Sequence, residues 1–169
     1  MSSSRRRLLA AGVAAGLLTL LPGCGFRPLY GSGQGTAASL EQVAIATIPD
    51  RPGQILRNLL IDRFHHDGQP ARAVYRLDAR ITSSEQKVAV RQDASPQRVQ
   101  LLLTVPFKLV ETATGRTVLE GNSRSFVPYN VLEERFAGLV VAEDAYERGL
   151  GEISEDITAR VAMFLARGS

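Results

Sequence analysis

Residues capable of catalysis are scattered along this 169-residue chain and form no recognisable active-site pattern. His65 and His66 are adjacent, so on a helix they point about 100° apart, whereas metal-binding pairs on helices are spaced three or four residues apart. The simplest interpretation places both at a solvated helix C-terminus, where a cation suits the helix dipole. Ser83, Ser84 and Ser123 lie in no Gly-x-Ser-x-Gly setting, the usual surroundings of a serine nucleophile. No catalytic constellation stands out among these residues, and they predict no metal and no cofactor.

Basic side chains in the middle of the chain are the one polar set that could bind a ligand. Arg91 and Arg98 flank a predicted turn, and further basic residues lie near them in sequence: Arg80, Lys87, Lys108 and Arg124. Clustered arginines can bind the phosphate or carboxylate groups of an anionic ligand. Alternatively, these charges belong to a solvent-facing sheet and oppose aggregation at its edges. Both interpretations stay open, with Arg91 and Arg98 as the candidate ligand contacts.

Cys24 is the residue whose surroundings predict a covalent modification. Three arginines, Arg5 to Arg7, precede an apolar run from Leu8 to Leu21, as in a secretory signal peptide. This run is shorter than the roughly 20 residues that a transmembrane helix needs. Leu21-Pro22-Gly23-Cys24 resembles the lipobox of bacterial lipoproteins, in which a diacylglyceryl group is linked to the cysteine sulfur. We expect the mature chain to begin at Cys24 and to be held to a membrane by its lipid. The alternative is an ordinary signal peptide with an incidental cysteine.

Removal of the predicted signal peptide, residues 1–23, changes the charge balance. The full chain has 20 Lys and Arg against 17 Asp and Glu, and the signal contains three arginines and no acid, so 17 of each sign remain. The basic character therefore belongs to the signal and does not support a nucleic-acid partner. Gly25 follows the cysteine, instead of the Asp that often retains lipoproteins in the inner membrane. We expect outer-membrane sorting with the domain on the periplasmic side. Residues 24–40 are predicted to be the lipidated N-terminus and a flexible tether, and residues 41–169 a single domain.

Hydrophobic periodicity predicts strands and helices that alternate along the domain. Two helices are expected, each with one apolar face, and the longer carries a stripe of apolar residues spaced three or four apart. Strand Arg98 to Val110 has alternating apolar residues, and Pro106 predicts an edge strand or a bulge. Pro128 to Asn130 is predicted to end the sheet. The fold class is therefore α+β, a two-layer sandwich with an about four-stranded, mostly antiparallel sheet and two helices on one face. The predicted elements are strand Gln42 to Ile48, helix Gln54 to Asp67, strands Val74 to Thr82, Arg98 to Val110 and Arg116 to Val127, and helix Ala142 to Ala166.

One family resemblance covers essentially the whole mature chain. Residues Cys24-Gly25-Phe26-Arg27-Pro28-Leu29-Tyr30-Gly31 resemble the mature N-terminus of the LptE family of lipopolysaccharide-assembly lipoproteins, in its alphaproteobacterial form. The order of strands and helices is similar too, as are Arg124-Ser125-Phe126 and the long C-terminal helix.

This resemblance implies an outer-membrane lipoprotein that is not an enzyme. It would plug the β-barrel translocon LptD, assist its assembly and contact lipopolysaccharide during insertion at the cell surface. In the family, basic residues around the central strands are implicated in that contact, and Arg91 and Arg98 are the nearest candidates here. Two alternatives stay open: an auxiliary periplasmic lipoprotein of a lipid-trafficking ABC transporter, and a lipid-anchored hydrolase with His65 or His66 as its base.

Overall fold

A short parallel pair of strands begins a mixed sheet, on which two helices pack. The computed structural model describes residues 39–65, 68–89, 97–131 and 135–167, which all belong to one compact unit, Ser32–Ser169. The α+β class is confirmed, but the sheet has five strands, one more than expected. In chain order the elements are β1 (Val43–Ile45), α1 (Asp50–Phe64), β2 (Tyr75–Ala79), β3 (Thr82–Ala89), β4 (Gln97–Glu111), β5 (Thr117–Val131) and α2 (Arg135–Arg167).

Strand β4 is the centre of the sheet. On one side it pairs with β5 along nearly its whole length. On the other side its first half pairs with β3 and its last residues pair with β2. All three pairings are antiparallel. Strand β1 pairs in parallel with β2 at the far edge. The extra strand, β3, escaped prediction because its side chains from Thr82 to Lys87 are exposed and polar on both faces, so no apolar alternation marks it.

Pro106 lies inside the sheet, and β4 pairs with β5 in continuous register from Gln97 to Leu109, so the prediction of an edge strand or a bulge at this residue was wrong. It sits opposite the gap where β2 has ended and β3 has begun, and its carbonyl accepts a hydrogen bond from the Arg80 N–H at 3.2 Å. The nitrogen and carbonyl of one strand residue point to the same side. The N–H that proline lacks would therefore face this gap, where no ladder partner is needed.

Three elements begin or end at residues other than those predicted, and in two of them the reason is a proline that the element tolerates. Helix α1 begins at Asp50, ahead of the predicted start, because Pro52 lies in the first turn, where a backbone N–H has no acceptor within the helix. Strand β5 continues through Pro128 to Val131, because β5 is an edge strand with β4 as its only partner among the described strands. Helix α2 begins at Arg135, before the predicted start at Ala142.

The core lies between the sheet and two parallel helices on one of its faces. Arg51 pairs with Glu143 and Arg63 with Glu155, and both pairs join residues 92 positions apart, so α1 and α2 run in the same direction. The predicted alternation of β4 and the apolar stripe of α2 are confirmed, since both sets are buried against each other. From β4 these are Val99, Leu101, Leu103, Val105, Phe107 and Leu109, and from α2 they include Leu150, Ile153, Ile157 and Val161.

Candidate functional site

The face of the sheet that carries neither helix is the surface available for a ligand. We call it the open face, and we define it by the side chains of β4 and β5 that alternate with the buried ones. The strand register places these side chains opposite each other in pairs: Arg98 with Asn130, Gln100 with Pro128, Leu102 with Phe126, and Thr104 with Arg124. Directly opposed side chains in an antiparallel pair lie close enough to form one continuous surface.

An apolar pair occupies the middle of the open face. Phe126 leaves 57% of its surface exposed and faces Leu102, which in turn faces Ser84 of β3. A single exposed apolar residue is common on protein surfaces. Here the phenyl ring and Leu102 form a joint apolar spot within a polar face, which suits a ligand that has an apolar portion.

Two unpaired arginines flank this apolar pair. Arg98 and Arg124 are exposed, and neither has an ion-pair partner within the described ranges. Arg124 lies six positions before Asn130 in β5, and Asn130 faces Arg98, so the two cations stand roughly 20 Å apart along the face. No acidic residue of the described ranges competes for their guanidinium groups, which can bind phosphate or carboxylate groups.

The other basic residues of the central region are placed differently. Lys108 lies on the same face, but its Nζ is 4.0 Å from Asp78 Oδ2, and Arg76 donates from Nε to Asp78 Oδ1 at 2.9 Å, so these cations share a carboxylate. Lys87 faces Val99 and so projects to the helix side of the edge strand. Arg80 lies at the junction between β2 and β3. Unpaired positive charge on the open face is thus concentrated around the apolar pair.

Two of the three predicted site residues lie outside the described residues: Cys24 and Arg91. Arg98 is on the open face, near the start of β4. Arg124 was named only among the basic residues near the candidate contacts. Phe126 was not predicted as a site residue, because a strand with a buried face is expected to turn its aromatic residues inward. In β5 the order is reversed, since Ser123 and Ser125 are buried while Phe126 is exposed.

Small side chains on the inner face of β5 explain this reversal. The Ser125 Oγ donates a hydrogen bond to Glu152 Oε2 of α2 at 2.6 Å. A Cβ added to Gly149 of α2 would lie 3.3 Å from that same Oγ. Helix α2 therefore approaches β5 closely at Ser125, where a small side chain fits, and the neighbouring Phe126 side chain is on the open face.

Tyr129 connects the last part of β5 to the edge strand β3. It is buried on the helix side of the sheet, and burial together with a hydrogen bond to Glu85 raises its pKa to about 12. Glu85 lies on β3, so this contact spans β4 and fixes the edge strand to the core. Tyr129 is paired with Val99, the neighbour of Arg98, so this connection lies behind the Arg98 end of the open face.

His65 is buried, so the prediction of a solvated histidine was wrong, while His66 lies outside the described residues. The His65 side chain is 6% exposed and packs edge-on against Phe64, because the chain turns inward where α1 ends. Neither ring nitrogen reaches hydrogen-bond geometry with a described residue. Burial lowers the His65 pKa, and the nearby Val43 backbone and Glu41 charge oppose that shift. Across the described ranges, no three His, Cys, Asp or Glu side chains stand together as metal ligands.

Comparison with known proteins identifies the family. The family model "LptE: Lipopolysaccharide-assembly" matches residues 40–164, nearly the entire folded domain. The chain belongs to the LptE family. The resemblance predicted from the N-terminal motif and the element order is therefore confirmed, and the chain is a lipoprotein of the lipopolysaccharide-assembly class in the Gram-negative envelope. None of the curated protein sequences matches this chain.

Solved lipoprotein structures share the LptE fold described above. A Caulobacter crescentus CB15 protein, described as a lipoprotein, is 26% identical, with 78% of this chain and 96% of that chain covered and a TM-score of 0.63. Rare lipoprotein B from Shewanella oneidensis is 10% identical, with coverage of 74% and 96% and a TM-score of 0.57. Lipoprotein B from Nitrosomonas europaea is 14% identical, with coverage of 75% and 84% and a TM-score of 0.55. In the ranges that the structure describes, no helix has the length and apolar character needed to cross a bilayer.

Proposed function

We propose that this protein is an outer-membrane lipoprotein that takes part in lipopolysaccharide insertion at the cell surface, acting by binding and not by catalysis. The family match over residues 40–164 carries this proposal. The open face supports it, because free arginines and an apolar pair are the groups that a phosphorylated lipid would contact.

In this proposal, a lipid attached to Cys24 holds the protein at the outer membrane. Residues 1–23 are removed, residues 24–40 form the lipidated N-terminus and tether, and residues 41–169 form the periplasmic domain. Two or three acyl chains hold a protein firmly at a membrane, whereas one chain holds it only marginally. The tether then keeps the domain at a high effective concentration near other outer-membrane proteins.

Lipopolysaccharide fits the open face by its chemistry. Its phosphate groups bind Arg98 and Arg124, with Arg91 as the further contact that the sequence predicts, while an acyl chain lies over Leu102 and Phe126. Charge-assisted hydrogen bonds from arginine to phosphate are stronger than neutral ones. Apolar contact with Phe126 adds free energy in proportion to the area removed from water.

The protein partner in this account is the β-barrel translocon LptD. This chain acts as a plug within the barrel and assists its assembly. A near-neutral mature domain with polar side chains along β3 suits a polar barrel interior.

A pull-down tests this function. The full-length, tagged and lipidated protein is extracted from outer membranes in mild detergent, and its partners are identified by mass. We expect a large β-barrel protein in about 1:1 ratio, together with lipopolysaccharide. Recovery of the protein alone, or with an inner-membrane transporter, would overturn the translocon assignment. The matched control is Cys24→Ala, which removes the lipid site and should leave little protein in the membrane fraction.

A further inference from the structure

Strand β5 has one side that pairs with no other strand, and we call this side the β5 edge. The strand runs from Thr117 to Val131, and β4 is its only partner in the described part of the chain. With 15 residues it is longer than most strands. An edge strand presents a row of unpaired backbone N–H and C=O groups, which can pair with another chain. The strand register decides which residues supply these groups.

Three observations agree on which residues face the β5 edge. The Pro106 carbonyl accepts its hydrogen bond from the Arg80 N–H, so the Pro106 backbone faces away from β5, and its partner Asn122 in turn faces away from β4. Pro128, six positions after Asn122, therefore directs its nitrogen to the edge, where the missing N–H costs no ladder bond. Arg160 of α2 donates from Nη1 to the Asn122 carbonyl at 3.5 Å, which requires that this carbonyl points outward. Even-numbered residues of this part of β5 thus turn their backbone groups to the edge.

The middle of the β5 edge has backbone groups without partners. Arg124 and Phe126 each direct an N–H and a C=O outward, and Pro128 directs a C=O. Within the described ranges, no backbone group outside β5 bonds to these three residues. They recur every two residues, about 7 Å, which is the repeat of a β-ladder. Alternating donors and acceptors at this spacing match the backbone of an extended polypeptide, which is how peptides add to exposed sheet edges.

Helix α2 lies over β5, and its position excludes a symmetric pairing of two copies of this chain at the β5 edge. Glu152 accepts from Ser125, Gly149 lies close above the same serine, and Arg160 reaches the edge at Asn122. A two-fold pair of antiparallel β5 strands would have both helix layers on one side of the sheet. The two α2 helices would then lie over strands only about 4.8 Å apart. Packed helices need about 8–10 Å between their axes, so the two helices would overlap.

We propose that an extended segment of a different protein adds to this sheet as a further strand beside Arg124 to Asn130. Backbone hydrogen bonds to Arg124 and Phe126 provide the affinity. The side chain that lies beside Phe126 is apolar, because that ring is half exposed at the border of the open face. The segment carries no helix above it, since α2 occupies that space. That the segment belongs to the β-barrel of the proposed function rests on that function, while the strand addition does not.

Amide hydrogen exchange at single-residue resolution tests the strand addition. Exchange is measured on the full-length, lipidated protein in native outer-membrane vesicles, and again after purification in detergent. The amides of Ser125 and Val127 bond to β4 and should exchange slowly in both samples. Those of Arg124 and Phe126 should exchange quickly in the purified protein and slow by roughly tenfold or more in the vesicles. Equal exchange of Arg124 and Phe126 in the two samples overturns the proposal.

Two further samples distinguish other occupants of the β5 edge. Purified lipopolysaccharide is added to the protein in detergent, and separately the protein concentration is raised. We expect the Arg124 and Phe126 amides to stay fast in both samples, because neither supplies a strand from another protein. Slow exchange with lipopolysaccharide would assign the edge to the lipid, and slow exchange at high concentration would assign it to a second copy. Either result overturns the proposal.

A proline at position 124 tests the contribution of one backbone N–H. Arg124→Pro and Arg124→Ala both lose the side chain, but only the proline lacks the N–H. Because this N–H faces the edge, we expect both variants to fold, whereas Ser125→Pro, which loses a bond to β4, should unfold in less urea. In vesicles, the Phe126 amide should stay slow in Arg124→Ala and become fast in Arg124→Pro. Slow exchange in both variants would contradict the strand addition.

The two proposals fail in different ways. If the barrel copurifies but the edge amides exchange equally fast in both samples, the strand addition is wrong and the proposed function stands. If the edge amides are slow in vesicles but no barrel copurifies, the proposed function is wrong and the added strand comes from another protein.

Discussion

Leu102 of β4 and Phe126 of β5 are directly opposed on the face of the sheet that neither helix covers, and Phe126 is 57% exposed. Their inward neighbours in the same strands, Leu103 and Ser125, lie beneath α2 and are buried. The pair Leu103–Ser125 therefore faces the core, and the adjacent pair Leu102–Phe126 faces the ligand side. A substitution can thus alter ligand binding without altering the fold, or the reverse.

Replacing Phe126 should impair binding and spare the fold. Phe126→Ser removes an exposed ring, so we expect the free energy of unfolding to change by less than about 1 kcal/mol. The matched change at the next position, Val127→Ala, removes buried methyl groups and should cost about 1–3 kcal/mol. Urea unfolding measures both variants, and binding of purified lipopolysaccharide should weaken only for Phe126→Ser. An equal loss of stability in the two variants would contradict the exposed position of the ring.

Neutralising the unpaired arginines should lower affinity for lipopolysaccharide. Arg98→Gln and Arg124→Gln each remove a free guanidinium, and we expect roughly tenfold weaker binding at low salt for each. The effect should shrink as ionic strength rises, because exposed charges are screened. Lys108→Gln is the control, since the Lys108 ammonium group already lies beside the Asp78 carboxylate. If Lys108→Gln weakens binding as much as the arginine variants, net charge alone attracts the ligand and the site assignment is wrong.

Two glycines of α2 should respond oppositely to alanine. A Cβ at Gly149 would lie 2.7 Å from Leu103 Cδ1 and 3.0 Å from Val127 Cγ2, whereas nothing lies within 4 Å of one at Gly151. We expect Gly149→Ala to destabilise the fold by about 1–3 kcal/mol through overpacking. Gly151→Ala should stabilise it by about 0.5–1 kcal/mol through helix propensity. Thermal unfolding of the two variants shows whether each change in stability has the expected direction. Stabilisation by Gly149→Ala would contradict the close approach of α2.

Tyr129 should make stability decline at high pH. Its pKa is raised to about 12 in the fold, chiefly by burial and then by the hydrogen bond to Glu85, against about 10 in an unfolded chain. The neutral phenol is therefore the form that the fold favours. Its contribution is complete below pH of about 10 and is lost as pH rises towards 12. Chemical unfolding between pH 8 and 11.5 should show this decline in the wild-type protein and a flatter profile in Tyr129→Phe. Identical profiles would contradict the buried, hydrogen-bonded position of the phenol.

Much of the fold was predictable because periodicity reports burial. The alternation in β4 and the spacing of Leu150, Ile153 and Ile157 in α2 follow from each element having one face in the core. Strand β3 was not predictable in this way, because an edge strand with both faces exposed needs no apolar residues. Its place in the sheet comes from backbone pairing with β4 and from the Glu85–Tyr129 contact.

The candidate site was only partly predictable. Arg98 was predicted as a ligand contact because arginines near a turn indicate an anionic ligand, and the structure places it on the open face. Arg124 was named among the nearby basic residues, but Phe126 was missed as a site residue because its strand reverses the usual pattern, with serines inside and a phenylalanine outside. This reversal depends on how closely α2 packs on β5, a tertiary property that sequence spacing does not contain. The pairing of Lys108 with Asp78 likewise depends on the neighbouring strand.

In-cell photocrosslinking tests the central claim most directly. A photoreactive amino acid replaces Phe126 on the open face in one strain and Glu147, which is exposed on α2, in another. We expect a lipopolysaccharide adduct for position 126 and none for position 147. An adduct at position 147 alone, or no adduct at either position in protein that is correctly inserted in the outer membrane, would contradict it.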